Sequence, residues 1–178
     1  KDQVESIRKS SYDMLDLINR SLDLYKMEVG SYTCKAKIFD LSQTAEKVVR
    51  DCRLNAQDKS IVIHFEAPET CMIKGEELLC FTVLSNLIKN AVEASQIKQI
   101  VKVTLSEGEC VYVEIHNMGG IPDNIRSTFF DKYATSGKEG GTGLGTYSAK
   151  LMTEVQGGTI ELKSSEDSGT LITLKFKI

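Results

Sequence analysis

Gln99-Ile-Val-Lys-Val-Thr-Leu-Ser106 and Cys110-Val-Tyr-Val-Glu-Ile-His116, joined by Glu107-Gly-Glu109, decide the fold. Both runs alternate apolar and polar residues at period two, and the joint reads as a hairpin turn. Val111, Val113 and Ile115 share one face, so Asn117 continues that face. Working upstream, Ser60–Glu66 alternates as well, with Ile61, Ile63 and Phe65 together, and Cys71–Lys74 reads as a short strand. Downstream, Thr159–Lys163 and Thr170–Ile178 form a closing hairpin. Helical spacing fills the gaps. One helix runs from Asp40 to about Gln57, with Ala45, Val48, Val49 and Cys52 inward and a capping-box pattern at Asp40-Leu-Ser-Gln43. Another runs from Glu76 to about Ser95, and a third from Leu144 to Gln156, ended by Gly157-Gly158. The order predicts an α+β fold with helices on one face of a mixed, mostly antiparallel sheet.

Residues 1–28 read as a separate helix. Val4, Ile7, Met14, Ile18 and Tyr25 recur at helical steps, Leu15 and Leu22 widen the stripe, and Gly30 suits a stop. An apolar stripe of this kind needs a partner, either in a helical hairpin or on the rest of its own chain. Residues 30–37 read as a linker.

The chain has 178 residues, 41% apolar and 26% charged, with a net charge of −3. Those proportions are globular and exclude a disordered or fibrous protein. The acidic balance gives no footprint for nucleic acid. No apolar run reaches the roughly 18 residues of a membrane span. Cys34, Cys52, Cys71, Cys80 and Cys110 form no CxxC pair, so they read as reduced thiols. Two histidines, His64 and His116, are too few for a metal cage. Cys80 and Cys110 are expected in inert core positions.

Four elements carry chemistry. Gly141-Thr-Gly-Leu-Gly145 opens a helix, where missing Cβ atoms and free N–H groups suit a phosphate. It follows a loop, not a strand, which excludes a Rossmann fingerprint, and lacks the lysine of a P-loop. Asn86-Leu-Ile-Lys-Asn90 puts two amides on one helical face beside the apolar Leu84, Leu87, Ile88 and Ala91. Such amides are costly to bury unpaired, and an amide oxygen is a hard donor suited to Mg²⁺. Asn117-Met-Gly-Gly-Ile-Pro122 ends a strand. Phe129-Phe130-Asp-Lys-Tyr-Ala-Thr-Ser-Gly-Lys138 precedes the glycine cluster, within a segment 117–143 long enough to be a lid or binding loop.

In order and spacing these four elements resemble the catalytic ATP-binding domain of sensor histidine kinases, in the superfamily of DNA gyrase, heat-shock chaperone and mismatch-repair ATPases. The resemblance covers about residues 38–178 and implies a two-layer α/β sandwich of the Bergerat type. Residues 1–29 resemble the second helix of the kinases' dimerisation and phosphotransfer hairpin. It implies ATP and Mg²⁺ as cofactors, with Asn90 on the metal. Asn86 stands where the ATPases keep a general base and in kinases helps place water or phosphate. Asn117 would meet the adenine amine, and Gly119, Gly120 and Ile121 would pass the base. Gly141, Thr142, Gly143, Leu144 and Gly145 would hold the phosphates, with Lys138 as a point charge. The implied partners are a response-regulator receiver domain, the protein's own hairpin and a second copy, and the implied place is the cytoplasm.

Three departures stand out. The usual Asp-x-Gly-x-Gly box lacks its Asp; strand alternation puts Asn117 in that slot, and counting back from Ile121-Pro122 puts His116 there. A neutral acceptor contributes about 0.5–1.5 kcal/mol against about 1.5–3 for a charged one, which predicts weakened ATP binding. Glu93 stands where the family often has lysine, leaving Lys89 or Lys138 to substitute. No histidine precedes His64, so the phosphoacceptor is expected outside this chain. A degenerate, adaptor-like relative and a serine kinase or ATPase of the same superfamily are the competing readings; the last lacks a carboxylate at Asn86.

Overall fold

Gly30 ends the first helix in the left-handed region, at φ 70°. The computed structural model describes residues 2–134 and 143–178. Helix α1 spans Asp2–Glu28. Its last turn closes through Gly30 N–H to the Met27 carbonyl and Ser31 N–H to the Lys26 carbonyl, a glycine-dependent C-terminal cap. The stripe read from the sequence is present, and Val4, Ile7, Leu15, Ile18 and Leu22 are each more than half exposed. The chain divides into two units between Thr33 and Cys34. That boundary falls inside the segment read as a linker.

The second unit starts with β1 (Lys37–Asp40), α2 (Leu41–Ala56) and a 3₁₀ turn at Gln57–Lys59. Then come β2 (Val62–Glu66), β3 (Met72–Gly75), α3 (Glu77–Ala94), β4 (Ile100–Glu107) and β5 (Val111–Asn117). A short helix α4 (Asp123–Arg126) precedes α5 (Gly145–Glu154), β6 (Thr159–Ser165) and β7 (Gly169–Phe176). The main sheet has the order β2-β4-β5-β7-β6. Only β2 and β4 pair in parallel; the other three ladders are antiparallel. The small β1–β3 sheet stands apart; its pairing was not foreseen, because four-residue strands carry almost no periodicity.

The fold is therefore α+β, with α2, α3 and α5 over one face. Period-two alternation supplies the inward face: Val101, Val103, Val113, Ile115 and Leu174 are essentially solvent-free. Leu41, Val48 and Val49 of α2 and Val83, Leu84, Leu87 and Ile88 of α3 meet them from the helical layer. Each such side chain contributes about 1.5–3 kcal/mol by burial. Asp40 caps α2, its Oδ1 accepting from Ser42 N–H at 2.9 Å and from Cys71 N–H at 3.0 Å. The cap thus serves the second residue of the helix and the neighbouring strand instead of the capping-box position at Gln43. Cys80 is buried as expected, whereas Cys110 beside the β4–β5 turn is only half-buried.

Candidate functional site

Helix α3 and the end of β5 form two walls of one cavity of about 90 Å³. Asn90 lines it from α3 and Asn117 from β5, with Gly119, Gly120 and Ile121 along the connecting loop. Phe129 and Thr170 complete the lining that bears on chemistry. Whole-ligand pockets run to about 300–1,000 Å³, so this volume suits one ring of a larger ligand.

The β5 alternation settles which residue faces this space. Asn117 is 3% exposed and enters the pocket. His116 points to the opposite face of the sheet, where its Nε2 lies 2.8 Å from the Ser168 carbonyl. The Asn117 Nδ2 donates to the Gly119 carbonyl at 3.4 Å. A shorter bond, 2.6 Å, runs from the Thr170 hydroxyl to that same carbonyl. Thr170 Oγ1 and Ser164 Oγ are 2.9 Å apart, and Ser164 Oγ accepts from the Ile121 N–H. Two strand hydroxyls therefore pin the loop on which the glycines lie. Sequence reasoning missed both; they stand on inward positions of β6 and β7, which only the register reveals.

Glycine is required here by packing. A Cβ at Gly119 would come within 2.7 Å of the Ala94 carbonyl, and one at Gly120 within 3.1 Å of the Ser165 carbonyl. Gly169, at φ 73°, backs onto the Asn117 carbonyl itself, where a Cβ would collide.

Asn86 lies one turn before Asn90 and does a different job. Its Nδ2 donates to Ser148 Oγ at 3.1 Å and, more weakly, to the Gly145 carbonyl at 3.4 Å. It thus holds the first turn of α5, which begins at Gly145 with Leu144 as its cap. Gly143 has φ 64°, and a Cβ there would meet the Tyr133 backbone at 2.6 Å. Tyr133 itself sits at φ 68° and donates its N–H to the Gly143 carbonyl. Among the described residues nothing lies within 4 Å of where a Gly145 Cβ would be. Phe129 and Phe130 pack edge to face at 5.1 Å, and the Phe129 carbonyl accepts from the Thr146 hydroxyl. Lys138, Gly141 and Thr142 lie outside the described residues. Lys89 is not brought to the cavity: it lines a separate groove with Lys59, Cys52 and Glu93, on another face of α3.

Among the described residues no cluster of His, Cys, Asp or Glu could hold a metal. A Mg²⁺ that keeps its waters and bridges phosphates needs only one or two protein oxygens. The Asn90 amide, in the lining of the cavity, fits that requirement. His64 is exposed on β2, its Nδ1 3.6 Å from the Glu66 carboxylate, far from these elements in the sheet order.

The sequence profile described as "Histidine kinase-, DNA gyrase B-, and HSP90-like ATPase" matches residues 75–178, from the end of β3 through β7. The chain belongs to this family. It is similar to the heme sensor protein HssS of Staphylococcus saprophyticus, 29% identical over 177 residues, covering 98% of this chain and 38% of that protein. It is also similar to the signal transduction histidine-protein kinase BarA of Escherichia coli, at 26% identity, covering 96% of this chain and 20% of BarA. Among solved structures, full-length ShkA in complex with AMPPNP superposes with a TM-score of 0.79 at 20% identity, over 98% of this chain and 38% of ShkA. The mycobacterial sensor histidine kinase MprB gives 0.71 at 20% identity, over 80% of this chain and 97% of that one. These structural likenesses bear on the fold. The chain spans less than two fifths of the length of the curated relatives it matches.

Proposed function

We propose that this chain is the ATP-binding catalytic part of a sensor histidine kinase, transferring the γ-phosphoryl group to a histidine outside it. The observation that carries this reading is the convergence of Asn90 and Asn117 on one cavity from two different elements. The adenine ring lies over Ile115 and Ile172, its amine at the Asn117 amide oxygen. Asn90 would supply one oxygen to a hydrated Mg²⁺, whose charge would offset that of the phosphates. The open position at Gly145 and the start of α5 receive the phosphates. Asn86 acts as a positioning residue: an amide is no base, and its donor holds α5 in place. Catalysis on this reading is alignment and charge neutralisation.

The acceptor histidine comes from the hairpin to which α1 would contribute one helix, in a homodimer. An aspartate on a receiver domain then takes the phosphoryl group. The catalytic part works in the cytoplasm; no helix among the described residues is long and apolar enough to cross a membrane.

Calorimetric titration with Mg-ATP, alongside Asn90→Ala, tests the proposal. Saturable binding that weakens in the variant and without magnesium is expected. A folded chain that ignores millimolar Mg-ATP would place it with the degenerate, adaptor-like relatives. Transfer is read separately, by presenting the ATP-loaded chain with the histidine-bearing upstream segment.

A further inference from the structure

Asn117 turns into the cavity between α3 and β5 with only 3% of its surface exposed. Among the described residues its side chain makes one hydrogen bond, from Nδ2 to the Gly119 carbonyl at 3.4 Å, and Oδ1 is left unpaired. That bond is long, since N–H···O bonds cluster near about 2.9–3.0 Å. The Gly119 carbonyl does not depend on it, because the Thr170 hydroxyl donates to the same oxygen at 2.6 Å. With its proton committed there, Thr170 Oγ1 accepts from Ser164 Oγ at 2.9 Å, and Ser164 Oγ accepts in turn from the Ile121 N–H. Every proton in this chain of bonds is placed without Asn117.

An amide has two unlike ends, an oxygen that only accepts and an NH2 that only donates. Turning the Asn117 amide over exchanges Oδ1 for Nδ2 at the cavity. The exchange gives up one long bond and sets Oδ1 beside the Gly119 carbonyl, so the turned state is the less favoured of the two. No charged side chain stands among the described residues that line the cavity, so no fixed charge forbids either state. A carboxylate in the same place would be an acceptor at both ends, and turning it over would change nothing.

We infer that the site accepts 6-oxopurine nucleoside triphosphates as well as 6-aminopurine ones, with Asn117 as the residue that sets this breadth. The inference rests on the reading that Asn117 meets the six-position of a purine in this cavity. Adenine carries an amino group at that position, and Asn117 Oδ1 accepts from it. Hypoxanthine carries a carbonyl oxygen there and a proton on the neighbouring ring nitrogen; the turned amide donates from Nδ2 to that oxygen. Ile115 and Ile172, which line the cavity, meet both rings alike, because the two bases have nearly the same shape. Thr170 is a positioning residue: by donating to Gly119 it releases the amide from the loop.

The experiment is calorimetric titration of the chain with Mg-ATP and with Mg-ITP, whose bases differ only at the six-position and the ring proton that goes with it. ITP is expected to bind within about tenfold of ATP, a difference of roughly one neutral hydrogen bond. Asn117→Asp should retain ATP, which also reports folding, and should widen the ratio of the two Kd values by about tenfold more, because only acceptors then face the base oxygen. Thr170→Val should widen the ratio as well, since the Gly119 carbonyl then claims Nδ2. Thr170→Ser keeps the hydroxyl and should restore the original ratio, whereas a purely structural Thr170 would weaken both nucleotides equally and lose the part assigned to it. ATP binding without saturable ITP binding overturns the inference and leaves the ATP-binding reading standing, as does a ratio that Asn117→Asp leaves unchanged. If neither nucleotide binds the folded chain, both fall.

Discussion

Asn117 and Thr170 stand opposite each other in the β5–β7 ladder, and both reach the Gly119 carbonyl. The residue proposed to meet adenine and a hydroxyl fifty-three positions later thus share one acceptor. The loop that the base would cross is held from both sides.

Restoring the family's acid separates binding from stability. Asn117→Asp gives the adenine amine a charged acceptor, and ATP affinity should rise about five- to tenfold, as a gain of about 1 kcal/mol requires. The same change replaces a donor facing the Gly119 carbonyl with a second oxygen. Thermal stability without nucleotide should therefore fall. Calorimetry and melting on one sample check both signs.

Thr170→Val removes the donor at 2.6 Å and leaves Ser164 and the Gly119 carbonyl short of a partner. The expected cost is about 1–3 kcal/mol in urea unfolding. Nucleotide affinity should fall with it, because the Gly119 carbonyl loses its shorter bond and Ser164, which holds the Ile121 N–H, loses its neighbour. Unchanged stability would mean that the loop is held by other contacts.

Gly143 and Gly145 make a matched pair. Gly143→Ala puts a Cβ against Tyr133 at a positive φ and should destabilise by at least about 1 kcal/mol. Gly145→Ala meets none of the described residues and replaces glycine with the best helix former in a first turn. It should be neutral or stabilising in the absence of ligand, yet weaken Mg-ATP if phosphates occupy that space. Denaturant titrations with and without nucleotide distinguish the two effects.

Asn86 and Ser148 should behave as one unit. Asn86→Ala and Ser148→Ala are each expected to cost about 1 kcal/mol. The double variant should cost clearly less than their sum, since either single change already breaks the 3.1 Å bond. Full additivity in a double-mutant cycle would show that the bond carries no stability.

Burial pushes the Cys80 thiol up from near 9.0 to about 12. Burial, with Glu107 and Asp40 adding to it, raises Cys71 to about 11. The folded state holds protons that the unfolded chain releases. These groups therefore contribute stability in full below pH 9, and it is lost as the pH rises toward 11 and 12. Urea midpoints should decline over that range, with a shallower slope in Cys80→Ala.

The sheet was legible because each long strand buries one face and solvates the other, so period two shows in Val101, Val103, Val113 and Ile115. The helix starts were legible from Asp40 and the glycines. Strand order and the parallel β2–β4 pairing were not, because alternation fixes which face is inward and not which edge meets which. The site was half legible for the same reason. Asn90 and Asn117 could be placed by helix and strand period. Thr170 and Ser164 were tied to the cavity loop only through register, and Lys89 belonged to a different groove because a helix turns a one-residue step through 100°.

Asn86 and Asn90 project from successive turns of the same rod. One grips the foot of α5, and the other lines the cavity opposite Asn117. The two amides share one rigid support, so a shift of α3 would move a wall of the cavity and the start of α5 together.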